Sequence, residues 1–431
     1  MNKIILSLAG VIAASAFAPQ ASALPAFARQ TGMACTACHQ QHFPILGKFG
    51  RAFKAGGYTM MGAQGKVEGE HLSLPDTLNA AILFKGRYQK DNGLATPDKT
   101  AGNLPNSVSD GQVQFGDEFS LFFGGRVGEN IGFLFEGNTV SGGSLLAGFK
   151  MPIMFDAGSA KLSVIPFTTD ALSVQYGYEL SSGGVMRASR WAEHRRETSA
   201  VQYNADRGVD AGAATGVALV VQTDHGYINV SKWAPAYGMG SNGGALPSYD
   251  MGSTYIRVAA TPDVGDWSMV VGAGAMSGTS HINGVAAPTP AAGDNLETKQ
   301  TFVDFQTHGV IGENELGVYA QYANAPIPAV GNSSAYNDLA LTARKAFTLG
   351  ADYSVIPHVL TLGAAYRNAK NGDAAGSEGD NAITLTAVYD LAMNVALHVN
   401  YSKYSGTART VSLANPNPVT SLYTLLLEAA W

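Results

Sequence analysis

The sequence predicts an all-β protein, a transmembrane antiparallel β-barrel of about sixteen strands, with a small α-helical segment before it. Segments of roughly ten residues alternate apolar with polar or small side chains, as strands with two unlike faces require. Short and long connections between these segments tend to alternate, and the chain ends in an apolar strand that closes on Trp431. A closed barrel satisfies its own backbone hydrogen bonds in lipid, so a region without helices can span a membrane in this form.

The alternation locates the individual strands. Leu397, Val399 and Tyr401 share one face of a segment near the C-terminus, whereas His398 and Asn400 share the other. The same pattern recurs along most of the chain, and it is sharpest after residue 212. The sixteen predicted strands are 79–89, 113–126, 131–140, 145–155, 160–178, 212–223, 226–234, 253–261, 266–276, 298–309, 315–323, 345–354, 359–368, 381–390, 395–404 and 420–431.

The lengths of the connections favour a barrel over a soluble β-sandwich with the same period. Tight connections at 127–130, 311–314 and 355–358 alternate with mostly long ones, so the two kinds sort to opposite rims. Outer-membrane barrels have short periplasmic turns and longer extracellular loops, and an even number of strands returns both chain ends to the periplasm. A sandwich has no reason to follow this rule.

The last strand agrees with a barrel in the bacterial outer membrane. The outward apolar positions are Tyr423, Leu425, Leu427, Ala429 and Trp431, and the inward positions include Thr424, Glu428 and Ala430. An exposed apolar edge ending in Trp would invite aggregation in a soluble protein, and closure of a barrel removes that hazard. A terminal aromatic strand also resembles the signal that outer-membrane assembly machinery reads.

Composition excludes several other classes of protein. Only 14% of the 431 residues are charged and 46% are hydrophobic, so the chain is not a disordered segment, and its 51 Gly residues favour a protein of strands and turns. Two cysteines are too few for a disulfide-built secreted module. The 27 basic residues against 33 acidic ones supply no positive field for a nucleic-acid backbone, and no nucleic-acid partner is expected.

Residues 1–23 have the pattern of a secretory signal peptide. Lys3 supplies the positive charge, residues 4–17 form the apolar stretch, and Ala21-Ser22-Ala23 is a cleavage site of small residues. The apolar stretch is too short to span a bilayer, and no later stretch approaches the roughly 18 to 20 apolar residues of a transmembrane helix. We therefore expect a mature chain from residue 24 that enters the membrane through strands alone.

The most specific motif is Cys35-Thr36-Ala37-Cys38-His39, which has the C-x-x-C-H spacing of a c-type haem attachment site. In such a site the two thiols form thioethers with the haem, and the adjacent imidazole binds the iron. One haem c, attached through Cys35 and Cys38 and bound by His39, is the expected cofactor. A dithiol redox pair and a zinc site are the alternatives, although zinc needs further close ligands and a thioredoxin-like pair needs a βαβ surrounding.

The residues after the motif predict a helix that covers the haem. Ile45 or Leu46, Phe49 and Phe53 fall on one helical face, with glycines at the predicted end of the helix. About fifty residues, from 24 to 75, are too few for a stable core without a covalent cofactor or an outside wall. We therefore expect 24–75 to form a monohaem cytochrome c segment that plugs the barrel, and 76–431 to form the barrel.

The sixth iron ligand is predicted to be Met60, which follows the helix and is able to fold back onto the iron. Thioether ligation opposite His39 would raise the reduction potential of the haem. Met61, Met33 and His71 are the rivals, and packing of Met60 in a core is an equal alternative. Arg29, Arg51 and Lys54 are candidates for neutralising the haem propionates, against an ordinary solvated surface role.

A family resemblance rests on these same residues. The stretch Phe27-Ala28-Arg29-Gln30-Thr31-Gly32, the motif from Cys35 to His39, and Phe49-Gly50-Arg51-Ala52-Phe53-Lys54 followed by Gly57-Tyr58 resemble the fused monohaem cytochrome-porins of the outer membrane, which include iron oxidases. The match in specific residues covers roughly residues 24–62, and beyond it only the architecture is similar. The resemblance implies a haem held at or inside the barrel mouth.

The resemblance also implies a function, with two alternatives beside it. The haem would accept electrons from an extracellular donor, with Fe(II) the expected one, and pass them to a periplasmic electron carrier, in the manner of an iron oxidase. The alternatives are a passive diffusion porin whose haem segment is a plug or redox gate, and a transporter of apolar solutes, which the polar inward positions disfavour. The sequence assigns no catalytic residue and no separate iron-binding site; His39 and Met60 are the predicted metal ligands.

Overall fold

The structure is a computed structural model, and its N-terminal part is helical. It describes residues 25–41, 45–62, 64–93, 109–139, 146–170, 172–181, 212–237, 249–281, 295–411 and 418–431, so the expected signal peptide at 1–23 lies outside the described residues. Three short helices come first, namely α1 (Pro25–Thr31), α2 (Cys35–Cys38) and α3 (Lys48–Ala55). A hairpin of strands Lys66–Gly69 and Leu72–Pro75 follows. Within these ranges no helix has the length and apolar character needed to cross a bilayer.

Sixteen antiparallel strands of the described chain form one closed barrel, as predicted. They are β1 (Ala80–Asp91), β2 (Gln112–Gly128), β3 (Ile131–Asn138), β4 (Leu146–Lys150 and Ile153–Ala157), β5 (Ala160–Thr169), β6 (Ala214–Thr223), β7 (Gly226–Ala234), β8 (Ser253–Ala260 and Asp263–Val264), β9 (Trp267–His281), β10 (Asn295–Glu297 and Gln300–Ile311), β11 (Asn314–Ala325), β12 (Arg344–Ile356), β13 (Leu360–Lys370), β14 (Asn381–Ala392), β15 (Val395–Ser405) and β16 (Ser421–Ala430). The barrel closes where β16 pairs with β1, from Leu422 against Asp91 to Ala430 against Leu83.

The connections alternate strictly between short turns and long loops, which confirms the predicted arrangement. Turns such as 129–130, 158–159, 224–225 and 312–313 lie at one rim, together with the start of β1 and the end of β16. We call this the short-turn rim. The connections from β1 to β2, β5 to β6, β11 to β12 and β15 to β16 are long, and they leave the strands at the opposite, long-loop rim. The connection from β11 to β12 carries Ser333–Ser334, which pairs with Leu296 and Glu297, and that from β15 to β16 carries a 3₁₀ turn at Thr407–Arg409.

The two faces of each strand differ as the alternation predicts. Along β14, Ile383 and Leu385 point outward and are 54% and 53% exposed, whereas Thr384 and Thr386 are buried on the inside. The last strand repeats this, with Trp431 exposed beyond its end and Thr424 buried. An apolar outer surface around a polar interior is the arrangement that lipid contact requires of a barrel.

One strand prediction is wrong at its end. The strand expected at 160–178 stops at Thr169, and the chain then turns inward through a 3₁₀ turn at Val174–Tyr176. Residues 172–181, which we call the inner loop, pack inside the barrel, where Val174 and Glu179 have no solvent exposure. The apolar residues of this segment resemble a strand in sequence, but they bury themselves against the inner wall instead of lipid.

Candidate functional site

The haem-attachment motif forms one compact turn. Cys35 and Cys38 are the first and last residues of α2, so both thiols lie one turn apart on the same side of the helix. Both are half-buried, and no disulfide joins them. His39 follows with an extended backbone, and its N–H donates a hydrogen bond to the carbonyl oxygen of Cys35 at 2.8 Å. Two accessible thiols beside an imidazole are the donor set that a c-type haem uses, so these residues fit that cofactor.

A short antiparallel bridge fixes the backbone around His39. His39 pairs with Leu46, the N–H of Gln40 donates to the carbonyl oxygen of Ile45 at 2.9 Å, and the N–H of Gly47 donates to that of Cys38 at 2.9 Å. Residues 42–44 lie outside the described residues. The bridge therefore ties the residue predicted to bind iron to the segment that leads into α3.

Two of the apolar residues predicted to cover the haem pack against other parts of the protein. Phe53 packs edge to face against Phe27, with ring centroids 5.2 Å apart, and Phe27 stacks on Tyr58 at 5.0 Å. Ile45 precedes α3 and is fully buried against Tyr319 and Ala365 of the barrel wall. The sequence predicts that Phe53 covers the haem. In the structure Phe53 packs in a core instead, because α1 and Tyr58 occupy the face of α3 that carries Phe53.

The N-terminal part sits inside the barrel at the short-turn rim. We call residues 25–41 and 45–62 the plug. The guanidinium of Arg29 donates to the carbonyl oxygen of Ala80, Lys48 pairs with Asp263 at 2.6 Å, and Gln41 donates to the carbonyl oxygen of Asp352 at 2.7 Å. The plug thus contacts the wall on several sides. The barrel therefore supplies the outside wall that a segment of this size needs for stability.

Met60, the predicted distal ligand, lies beside the end of α1. Its carbonyl oxygen accepts a hydrogen bond from the side chain of Gln30 at 2.8 Å, and the N–H of Gly62 donates to the carbonyl oxygen of Gln30. The residue is 37% exposed, as is its rival Met33. His71, the other rival, lies in the turn of the hairpin with an almost fully exposed ring. The assignment of Met60 as an iron ligand stays a prediction.

The three predicted propionate partners differ in surroundings. Arg51 is buried and points into the wall, where burial lowers the pKa of its guanidinium to about 10, so it is charged at neutral pH. Burial also lowers the pKa of Lys54 to about 8, an effect that the carboxylate of Glu179 opposes. Arg29 is exposed. The guanidinium of Arg51 contacts Ser268 and His308 of the barrel wall.

The thiols do not have the electrostatics of a dithiol redox pair. Burial raises the pKa of Cys35 to about 12 and also raises that of Cys38. Reactive redox cysteines have a lowered pKa, because their function depends on the thiolate. Nowhere in the described ranges do three or more His, Cys, Asp or Glu side chains come together as ligands for a metal ion.

The barrel contains a buried network of charged residues that the sequence does not predict. Glu179 of the inner loop pairs with Arg257 of β8 at 3.1 Å and accepts a hydrogen bond from the hydroxyl of Tyr227 at 2.5 Å. Arg257 also pairs with Asp304 of β10, and Arg257 and Glu179 have no solvent exposure. Charged residues at inward positions in the middle of strands were the available signal, but alternation does not reveal which of them meet.

A cavity of about 660 Å³ opens beside the plug at the short-turn rim. It is lined by one face of α3, the turns that follow β4 and β6, the end of β8 and part of the inner loop. The lining residues include Lys48, Ala52, Asp156, Asp224 and Tyr227. Cys35, Cys38, His39 and Met60 are not among its lining residues. The motif and this cavity are therefore separate features of the same mouth.

Fold and site together define a class of protein. A closed barrel of sixteen antiparallel strands, with apolar side chains outside, polar ones inside and strictly alternating loop lengths, is a porin-like barrel of the bacterial outer membrane. Its surroundings are outer-membrane lipid. Its short-turn mouth, which in such barrels faces the periplasm, is filled by the plug.

Comparisons with known proteins reach the same architecture. No protein-family model and no curated protein matches the chain. Among solved structures, the chain is similar to an anion-selective porin from Comamonas acidovorans, with 14% identity and a TM-score of 0.48 over 82% of this chain and 98% of that one. It is also similar to OmpT of Vibrio cholerae, with 12% identity and a TM-score of 0.43 over 85% and 100% of the two chains. The outer membrane channel DcaP of Acinetobacter baumannii gives 12% and 0.44 over 82% and 97%. At such low identities and scores, the fold is assigned from the strand pairing above.

Proposed function

We propose that this chain is an electron-transfer protein of the outer membrane, similar in plan to the fused monohaem cytochrome-porins. One haem c would be attached to Cys35 and Cys38 and bound by His39 at the periplasmic mouth of the barrel. The electrons would come from an extracellular donor, with Fe(II) the expected one, and go to a periplasmic carrier. The observation that carries the proposal is a complete C-x-x-C-H turn, with both thiols accessible, seated in a barrel that crosses the membrane.

The residues of this chain have defined tasks in such a protein. Haem c, when bound, supplies one-electron oxidation and reduction of iron. The thiols of Cys35 and Cys38 would tether it permanently, and the bridge between His39 and Leu46 fixes the backbone that carries the proposed imidazole ligand. Met60 is the proposed second axial ligand, which would raise the reduction potential. The closed wall keeps lipid away from the plug.

The first experiment asks whether the cofactor is present and reducible. Mature protein, produced with the cytochrome c maturation system and purified in detergent, is expected to show the absorption bands of haem c. Fe(II) added to the outside of cells or of oriented vesicles should then reduce it. The control is Cys38→Ala, which removes one thioether and should lose most of the bound haem. A colourless mature protein, or a haem that external Fe(II) leaves oxidised, contradicts the proposal.

A second candidate function is a diffusion porin whose haem segment acts as a plug or gate. The inward wall is polar, with Arg87, Gln89 and Thr424 buried along β1 and β16, as a hydrophilic path requires. The similar solved structures are also described as a porin and a channel. Swelling of liposomes in small sugars separates the two roles. Flux that is equal for the natural chain and for Cys38→Ala favours the diffusion porin.

A further inference from the structure

Arg51 joins the plug to the barrel wall through three contacts of one guanidinium. Its Nη2 donates to the hydroxyl of Ser268 on β9, and its Nη1 lies 3.3 Å from Nδ1 of His308 on β10. The same Nη1 donates to the carbonyl oxygen of Leu46 at 2.9 Å. Arg51 is 5% exposed and His308 is 2% exposed, so these hydrogen bonds form away from water. Hydrogen bonds that involve a charged donor are stronger than neutral ones, and breaking them in a buried place is costly.

The barrel holds His308 ready for this contact. The ring of His308 also forms a hydrogen bond with the backbone of Leu46, so the wall contacts this residue directly as well as through Arg51. Nε2 of His308 lies 3.0 Å from the hydroxyl oxygen of Tyr319, within hydrogen-bond distance. Tyr319 is in turn packed against Ile45 of the plug. These contacts hold the orientation of the ring that Arg51 meets.

Leu46, the third partner of Arg51, is the residue that pairs with His39. The guanidinium holds the carbonyl of Leu46, and Leu46 forms the antiparallel bridge that sets the backbone of His39. A continuous set of contacts therefore runs from Ser268 and His308 in the wall, through Arg51 and Leu46, to the imidazole-bearing residue.

We propose that Arg51, held by His308 and Ser268, is a positioning residue that sets His39 through Leu46. It transmits the geometry of the barrel wall to the proposed axial ligand. The inference rests on the proposed function for its meaning, because only a haem protein needs an oriented His39. The coupling of the barrel wall to the bridge between His39 and Leu46 does not depend on haem.

The test replaces Arg51 and follows both parts in the purified full-length barrel. In Arg51→Gln, the backbone amides of the bridge, which lie in the peptide 38–48, should exchange with deuterium about tenfold to a hundredfold faster, since hydrogen bonds to a charged group contribute about 1.5–3 kcal/mol. In the haem-loaded protein, the same variant should shift the midpoint potential and increase the high-spin fraction of the absorption spectrum. Arg51→Lys, which keeps the charge with fewer donors, should recover part of both effects.

The controls separate the coupling of the wall to the bridge from the positioning of His39 for haem. Arg367→Gln removes another buried Arg, which pairs with Asp380 near the long-loop rim, and should leave exchange and spectrum unchanged. His308→Leu removes the ring in the wall that contacts Arg51 and Leu46, and it should reproduce Arg51→Gln in milder form. Unchanged exchange in Arg51→Gln overturns the inference whether or not haem is present. Faster exchange with an unchanged potential and spectrum overturns the positioning role. A natural protein without haem overturns the proposed function, while the exchange experiment still judges the coupling.

Discussion

The backbone of Gly50 in α3 rests directly on the carbonyl group of Cys38 in α2. A Cβ placed on Gly50 would overlap that carbonyl oxygen, whereas the backbone of Gly50 itself is ordinary helix. The helix that follows the motif and the turn that carries both thiols are therefore packed backbone to backbone. Glycine is needed here for close approach and not for an unusual dihedral angle.

The first prediction follows from this contact. Gly50→Ala should force α3 away from α2, at a cost of about 1–3 kcal/mol for an overpacked site. The separation would disturb the turn from Cys35 to His39. We expect faster proteolysis of the plug and a lower ratio of haem to protein, measured by digestion of the purified barrel and by its absorption. Gly56→Ala is the matched control, because a Cβ there meets only ordinary contacts. Equal behaviour of the two variants would refute the close-packing argument.

The second prediction concerns the inner loop. Glu179 anchors this loop to Arg257 and Tyr227 inside the barrel, and removing one partner of a buried ion pair costs about 3–5 kcal/mol. Glu179→Gln should release the loop from the wall and increase single-channel conductance in a planar bilayer. Asp250→Asn breaks a solvent-exposed contact with His281 at the long-loop rim and should leave conductance unchanged. A conductance that stays at the natural value in Glu179→Gln means that the loop does not limit the path.

The strands could be predicted from sequence because each carries its own evidence. Period-two alternation is local, so β14 with Ile383 and Leu385 outward was recognisable without knowing its neighbours. The alternation of short and long connections then predicted that the strands form a barrel with two different rims. The exception, the segment after Thr169, has the composition of a strand but packs inside. Alternation reports apolar faces, and it does not distinguish lipid from a protein interior.

The site was predictable only in part, for the same reason. Cys35, Cys38 and His39 form a local motif, which the structure places on one turn. The contact of Arg51 with His308 joins residues 257 positions apart, and no local pattern encodes such a pairing. The same holds for Glu179 and Arg257, which are 78 positions apart. Long-range partners depend on how the whole barrel closes around the plug.

The third prediction tests the lipid-facing surface. Leu385 lies in the middle of β14 and is 53% exposed on the outer face, so Leu385→Lys would place a charge in hydrocarbon. The expected loss of stability is about 2–4 kcal/mol near the bilayer midplane, read from urea unfolding in lipid vesicles. Val330→Lys is the control, since Val330 is fully exposed in a long loop. If both variants unfold at the same urea concentration as the natural chain, Leu385 does not face lipid.

The last prediction is a pH dependence of the plug. Lys54, Tyr58 and Lys150 line one small cavity between the plug and the wall. Burial lowers the pKa of Lys54 from an ordinary value near 10.4 to about 8. Between these two values the unfolded chain binds the proton more tightly than the folded one, so the stability of the plug rises with pH. Burial raises the pKa of Tyr58, so above about pH 10 the unfolded chain loses its phenolic proton first and stability falls again.

The stability of the plug should therefore be greatest near pH 10 and lower at pH 7. A protease active from pH 7 to 10 measures this, with cleavage of the plug normalised to that of an unfolded reference peptide at each pH. Lys54→Met keeps the length of the side chain without the charge, so it should resist cleavage better than the natural chain at pH 7 and lose the rise toward pH 10. Lys66→Met, in the exposed hairpin, is the matched control and should keep the natural profile. A rise that persists in Lys54→Met would assign the pH dependence to another group and contradict the burial of this ammonium.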